Sequence, residues 1–101
     1  MLKVYNEYKM IEIKDIKGIE RKEHDLKYFD RIKMARFKIR RYGLTEPFEV
    51  IKVNDNYIIM KKSESLIAAK QLNYTAVPCL IRNPLHEIIL RKTLRNLDME
   101  Y

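Results

Sequence analysis

A one-sided apolar stripe between residues 25 and 43 limits the folds open to this chain more than any other part of its sequence. Apolar side chains recur there at spacings of four, three, four and three, at Tyr28, Ile32, Ala35, Ile39 and Tyr42. This period is typical of a helix that packs one face against a sheet. Asp25 is a suitable N-cap, and Gly43 is a suitable left-handed residue after the last turn. The sequence therefore predicts a long helix from about Asp25 to Tyr42, with the stripe in the core.

The segments around this helix predict a small sheet. Runs rich in β-branched and aromatic residues indicate about four strands, near 8–13, 48–53, 57–60 and 77–81. The turn residues Asn54-Asp55-Asn56 join the second and third runs into a hairpin. A short helix is expected from about Ser63 to Leu72 and a C-terminal helix from Pro84 to about Asp98. The predicted fold class is α/β (α+β), with a small mixed sheet of about four strands.

The length of the chain predicts a single domain over residues 1–101. A chain of 101 residues cannot divide its apolar surface between two cores, so we expect one core over about 8–83 with the helix at 84–98 added to it. No apolar run approaches the roughly 20 residues that span a bilayer, and the N-terminus lacks the apolar core of a signal peptide. We therefore expect a cytoplasmic protein without a membrane partner. Cys79, the single cysteine, is expected to be a buried thiol.

The positive charge of the chain is concentrated in one segment. The net charge is +7, and residues 21–41 hold nine Lys or Arg against three acids. Such a local excess attracts polyanions, although it is also compatible with a solvated basic face. We therefore predict that DNA or RNA is the partner. The predicted contacts are the basic side chains of the long helix and of a later strand–helix junction, namely Arg31, Lys33, Arg36, Lys38, Arg40, Arg41, Lys61 and Lys62.

Two aromatic residues lie off the core stripe of the long helix. At 100° per residue, Phe29 and Phe37 fall on the far side, among Lys33, Arg36 and Arg40. Aromatic rings interleaved with cations stack on nucleobases or anchor a protein partner. A packed terminal segment could also cover them. Phe29 and Phe37 are therefore predicted to form a partner interface, and a homodimer is one such assembly.

The junction between the last hairpin strand and the short helix is a candidate anion site. The backbone N–H groups and dipole at a helix start attract anions, and two lysines strengthen this attraction. The residues concerned are Lys61, Lys62, Ser63, Glu64 and Ser65. An ordinary helix cap with Ser63 as the N-cap is the alternative. We predict no metal site and no cofactor, because His24 and His86 lack ligand spacing and there is no Gly-rich phosphate loop.

Four sequence blocks in a fixed order carry a resemblance to a known family. They are Ile11–Ile16, Tyr42–Val50 with its Gly-Leu-x-x-Pro element, Leu66–Tyr74 and Ala76–Ile81. The chain resembles the N-terminal domain of ParB-like proteins, whose fold is shared with sulfiredoxin and an archaeal free-serine kinase. The resemblance covers about residues 8–83 and implies a ParB/sulfiredoxin-like fold.

The resemblance also implies where the family's site would lie. The Gly-Glu-Arg-Arg motif of ParB-like members, and its counterparts in the kinase and sulfiredoxin branches, falls on Lys61–Ser65. Lys62 stands at the family's glycine, and Ser65 stands at its terminal, phosphate-binding arginine. The catalytic cysteine of sulfiredoxin has no counterpart, since Cys79 is on a later strand. The Glu-Asn-x-x-Arg element of ParB proteins has only a weak echo at 95–99, where Asn96 alone agrees. We therefore expect the phosphoryl chemistry of the family to be absent.

Three functions remain open from the sequence. The first is a non-catalytic, ParB-like nucleic-acid-binding module that uses the basic helix. The second is a small interaction or dimerisation factor of plasmid or viral type, acting through Phe29 and Phe37 or the C-terminal helix. The third is a divergent nuclease or nucleotide-using enzyme in which Lys61, Lys62 and Glu64 serve phosphate and metal. A steep dependence of binding on salt distinguishes the first of them.

Overall fold

The structure, a computed structural model, describes residues 7–82. The strands are β1 (Glu7–Glu12), β2 (Ile16–Lys17), β3 (Phe48–Val53), β4 (Asn56–Lys61) and β5 (Ala76–Arg82). The helices are α1 (Glu20–Glu23), α2 (Phe29–Tyr42) and α3 (Ser63–Gln71), with short 3-10 turns at Ile13–Asp15 and Leu26–Tyr28. The predicted C-terminal helix at 84–98, His86 and the residues 95–99 lie outside the described residues.

The strands of the described part form one mixed sheet with the order β1-β5-β3-β4-β2. The predicted hairpin is β3–β4, which is antiparallel and turns at Asn54, where φ is +58°. Because β3 and β5 are parallel, the chain must cross over between them, and α3 lies within that connection. The sheet has five strands rather than about four. The additional strand is β2, which pairs parallel to β4 through Ile16 and Tyr57 and is too short to show alternation in the sequence.

The core lies between one face of the sheet and the two longer helices. Phe48 and Val50 of β3 and Val77 and Cys79 of β5 are fully or almost fully buried there. The helices contribute Ile32, Ile39, Leu66, Ile67, Ala68 and Ala69. Burying each of the large aliphatic side chains contributes about 1.5–3 kcal/mol. α3 packs on α2 and buries four consecutive residues, 66–69, in the core.

The two ends of the long helix differ from the prediction. Asp25 caps the 3-10 turn rather than α2, since its Oδ1 accepts a hydrogen bond from the Lys27 N–H at 3.0 Å, and α2 begins at Phe29. At the other end, the prediction that Tyr42 belongs to the core is wrong, because this side chain is 66% exposed. α2 ends there, at Gly43, whose φ of +76° is positive as predicted, although its ψ of −168° lies outside the left-handed helical region. The ring of Tyr42 instead lies beneath the guanidinium of Arg41.

The end of α3 agrees with the prediction more closely than its start does. α3 ends at Gln71, and Asn73 has the predicted positive φ, +70°. Ser63 is not the N-cap: Lys62 is, with left-handed φ and ψ of 67° and 38°, and the Lys62 side chain makes no capping hydrogen bond. Within residues 7–82, no helix is both long and apolar enough to cross a bilayer.

Candidate functional site

The side of α2 that faces away from the core carries large apolar side chains. Phe29 is 53% exposed, Phe37 is 58% exposed and Met34 is comparably open. The opposite side buries Ile32 and Ile39. The predicted exposure of Phe29 and Phe37 is therefore confirmed, and Met34 adds an apolar side chain that the sequence analysis did not single out.

Four cations on α2 carry charges that no carboxylate of the described residues 7–82 neutralises. Lys33, Lys38, Arg40 and Arg41 are all exposed. Within residues 7–82, none of them forms an ion pair. Arg41 contacts the ring of Tyr42, with its guanidinium carbon 5.7 Å from the ring centroid. Together with Phe29 and Phe37, these four cations form what we call the outer surface of α2.

The other two predicted cations of α2 face α3. Arg31 lies 3.7 Å from a carboxylate oxygen of Glu64, and Arg36 donates a hydrogen bond to the amide oxygen of Gln71. Both side chains link the two helices. Of the six α2 cations predicted to contact nucleic acid, two thus bind α3, and the other four form no ion pair within residues 7–82.

The lysines of the strand–helix junction are both paired with glutamates. Lys62 forms an ion pair and hydrogen bond with Glu46, which hold the pKa of the Glu46 carboxyl below its ordinary value. Lys61 lies 3.7 Å from Glu49, which also accepts a hydrogen bond from Arg82 at 2.6 Å. The Lys62–Glu46 pair is therefore neutral, whereas Glu49 is shared by Lys61 and Arg82 and leaves that group with one net positive charge.

A carboxylate of the chain itself lies at the start of α3. Ser63 Oγ donates to Glu64 at 3.1 Å, and Lys22 Nζ, from α1, lies 2.8 Å from Ser63 Oγ and 3.5 Å from Glu64. Burial alone would raise the pKa of the Glu64 carboxyl. The backbone N–H of Glu64, the Ser63 hydroxyl and the Lys22 ammonium outweigh burial and lower that pKa. Sequence reasoning missed Lys22, because nothing in the sequence relates it to a residue 41 positions away.

A cavity of about 320 Å³ separates the junction from the C-terminal half of α2. Its lining includes Ser65, Lys62, Lys38 and Tyr42. The structure thus brings Ser65 and Lys62 close to the C-terminal half of α2, whereas Ser63 faces Lys22 of α1 and Glu64 faces both Lys22 and Arg31, near the start of α2. A larger groove of about 570 Å³ lies elsewhere and contains none of the predicted site residues; it is lined by both acids and lysines, including Glu12, Lys14, Lys17, Glu20, Glu23 and Lys70.

The potential nucleophiles and metal ligands are dispersed. Cys79 is fully buried on β5, as predicted, and its burial raises the pKa of the thiol to about 11. Across residues 7–82, no three His, Cys, Asp or Glu side chains are grouped as metal ligands would be.

The fold is a five-stranded mixed sheet with two helices on one face and a strand–helix junction between β4 and α3. This arrangement defines a class of small α/β domains found among solved structures. Sulfiredoxin from Arabidopsis thaliana matches with a TM-score of 0.62 and 22% identity, over 76% of this chain and 85% of that one. The C-terminally truncated chromosome-partitioning protein ParB from Caulobacter crescentus, in complex with CTP-γ-S, matches with a TM-score of 0.62 and 16% identity. This match covers 94% of the chain and 55% of the ParB chain.

These likenesses establish the fold. A Pnob8-like ParB-N domain also matches, with a TM-score of 0.61 and 14% identity, over 82% of this chain and 32% of that one. The chain therefore has the ParB/sulfiredoxin-like fold, as its sequence blocks predicted. It spans about half or less of the two ParB chains. The sequence matches no protein-family model and no curated protein sequence.

Proposed function

We propose that this chain is a ParB-like nucleic-acid-binding module in which the outer surface of α2 contacts the phosphates of DNA or RNA. The observation that carries the proposal is the set of four exposed cations without a carboxylate partner within residues 7–82, at Lys33, Lys38, Arg40 and Arg41. An unpaired ammonium or guanidinium can release the counterions of a phosphate, which drives non-specific binding to nucleic acid. A cation already held by a glutamate supplies much less of this effect.

The junction has a secondary role in this proposal. Lys62 lies across the 320 Å³ cavity from α2 and Lys61 lies on the adjacent strand, so the phosphate backbone that follows α2 would pass near both. Their partners, Glu46 and Glu49, reduce what the two lysines contribute. Ser63, Glu64 and Ser65 border that path and make no phosphate contact in this proposal.

The test is a salt titration of nucleic-acid binding, followed by fluorescence anisotropy of labelled DNA and RNA. We expect log K to fall linearly with log salt. The variant Lys33→Ala/Arg40→Ala should lower the slope by about 1.4–1.8, since each lost phosphate contact contributes roughly 0.7 on single strands and 0.9 on duplex. The control variant Lys9→Ala/Lys52→Ala removes two exposed lysines on β1 and β3 and has the same net charge. An equal loss in both variants, or no binding at low salt, would contradict the proposal.

A protein-interaction role is the second candidate, and the exposed apolar side chains of α2 favour it. Phe29, Met34 and Phe37 all lie off the core stripe of the helix and are each more than half exposed. In a homodimer these side chains would pack against their copies, and sedimentation would then show a mass that depends on protein concentration. The variant Met34→Lys, on the same exposed side, would return a dimer to the monomer.

A further inference from the structure

The aromatic and basic residues of α2 alternate along a single ridge. Phe29, Lys33, Phe37 and Arg41 are spaced four residues apart, and all four side chains are exposed. Positions four apart are neighbours on a helix surface, separated by about 6 Å along the axis. The ridge therefore presents a ring, a cation, a ring and a cation over about 18 Å. Arg40, three residues after Phe37, lies beside the second ring.

The composition of α2 is poorly suited to reading a duplex. A helix that enters the major groove reads base edges through side chains such as Asn, Gln, Ser and Thr as well as Arg. The sequence of α2, Phe29–Tyr42, contains none of the first four. In a duplex the faces of the bases are stacked on each other, so Phe29, Met34 and Phe37 would lie against charged phosphates with no apolar surface to cover.

An unpaired strand offers the exposed base faces that a duplex lacks. Its bases can leave their stack and expose their faces, and aromatic side chains bind those faces with little regard to sequence. The cations between the rings match the alternation of base and phosphate along such a strand. We propose that the ridge binds single-stranded nucleic acid in preference to duplex, with bases on Phe29 and Phe37 and phosphates at Lys33 and Arg41. The inference rests on the proposed function and specifies its substrate class.

Stacking and phosphate contact make different predictions for salt. The contact of a base with a ring releases no counterion, so its loss lowers affinity by a constant factor at every salt concentration. The loss of a cation changes the slope of log K against log salt instead. The two kinds of contact on the ridge can therefore be measured separately in the same titration.

The variant Phe29→Leu/Phe37→Leu tests the stacking contacts. Leucine keeps an exposed apolar side chain at each position but has no ring face, and the exposure of both sites leaves the core intact. We expect affinity for a labelled single strand to fall about tenfold or more, with an unchanged salt slope. The control variant Tyr8→Leu removes a ring that is even more exposed but lies on β1, and it should bind like the wild type. Circular dichroism and the thermal midpoint confirm that each variant is folded.

The duplex comparison completes the test. The same oligonucleotide annealed to its complement should bind the wild type several-fold more weakly than the single strand, and the leucine variant should lose that preference. A duplex bound as tightly as the single strand would overturn the inference and leave the proposed function in place. A leucine variant with unchanged affinity would also overturn the inference, and it would favour a protein partner for the two rings. Failure of the wild type to bind either form at low salt would overturn both.

Discussion

The outer surface of α2 and the strand–helix junction look alike in the sequence and differ in the fold. Both are short segments rich in cations, and both were predicted to contact phosphate. On α2 the charges of Lys33, Lys38 and Arg40 have no ion-pair partner within residues 7–82. At the junction, Lys61 and Lys62 each meet a glutamate. The difference shows that the number of cations in a segment is a poor measure of the charge it offers to a ligand.

Glu64 is a second difference between the junction and the outer surface of α2. Where the resemblance places an arginine-rich phosphate motif, this chain has a carboxylate at the start of α3, and Lys22 and Arg31 converge on it. A negative side chain at this end of a helix is favourable because it interacts with the free N–H groups and the dipole. The start of α3 therefore has its own anion. We expect substitutions at the junction to change stability, and substitutions on the outer surface of α2 to change binding.

The largest expected effect on this comparison comes from Glu64→Ala. It leaves Lys22, Arg31 and Ser63 without their shared acceptor, and we expect the free energy of unfolding to fall by about 1–2 kcal/mol. Urea denaturation measures the change. The control is Asp30→Ala, which removes the exposed first-turn acid of α2 and should cost about 0.5 kcal/mol or less. Equal losses would mean that the contacts of Glu64 with α1 and α2 contribute nothing.

The pH dependence of that contribution follows from the lowered pKa of Glu64. Because its folded-state pKa is below the ordinary value of 4.5, Glu64 adds stability above pH 4.5 and loses it as pH falls through the folded-state pKa. The difference in unfolding free energy between the wild type and Glu64→Gln should therefore be constant near neutral pH and shrink under acid. Urea titrations over this range check the sign. A difference that grows as the pH falls would contradict the lowered pKa.

The parts of the fold that the sequence predicted are those set by neighbours along the chain. The stripe of α2, the β3–β4 turn and the positive φ of Gly43 and Asn73 all follow from local patterns. The strand β2 could not be predicted in this way, because two residues are too few to show an alternating pattern and they pair with β4, which is distant in the sequence. Tyr42 has the right spacing for the core, but it is the last residue of α2 and its side chain is exposed.

The candidate site was less predictable for a similar reason. The exposed rings of α2 follow from helix geometry, and this part of the site was predicted. The partners of the junction cations come from distant segments: Lys22 is 41 residues from Ser63, and Glu46 is 16 residues from Lys62. No local pattern relates such residues, so the pairing of these charges becomes visible only in the folded chain.

The backbone of the junction provides a smaller effect. Lys62 is left-handed, a conformation that costs a residue with a side chain about 1–2 kcal/mol, whereas glycine adopts it freely. Two costs reduce this gain: the loss of the ion pair with Glu46 and the greater conformational entropy of glycine in the unfolded chain. We therefore expect Lys62→Gly to raise the free energy of unfolding by about 0.5–1 kcal/mol in urea denaturation. The matched variant Lys61→Gly also removes a paired lysine but lies in β4, so it should destabilise by about 0.5–1 kcal/mol. The same sign for both variants would show that the left-handed geometry is not the cause.

The smallest expected effect comes from a variant that gives the junction an unpaired cation like those on α2. Glu46→Gln removes the carboxylate that pairs with Lys62 and leaves a free ammonium across the cavity from Lys38. We expect affinity for nucleic acid to rise about two- to threefold at low salt, and the salt slope to rise by less than the roughly 0.7–0.9 of a full phosphate contact. The anisotropy titration used for the wild type measures both quantities.

The control for this change is Glu12→Gln, which alters the net charge equally but frees Lys14, whose ion pair with Glu12 measures 3.1 Å. Glu12 and Lys14 line the larger groove, apart from the α2 residues, so a local effect predicts that this variant binds like the wild type. If both variants gain affinity equally, the added net charge alone is responsible and the position of Lys62 beside α2 has no importance. If only Glu46→Gln gains, ion pairing within the fold is what separates the junction from the outer surface of α2.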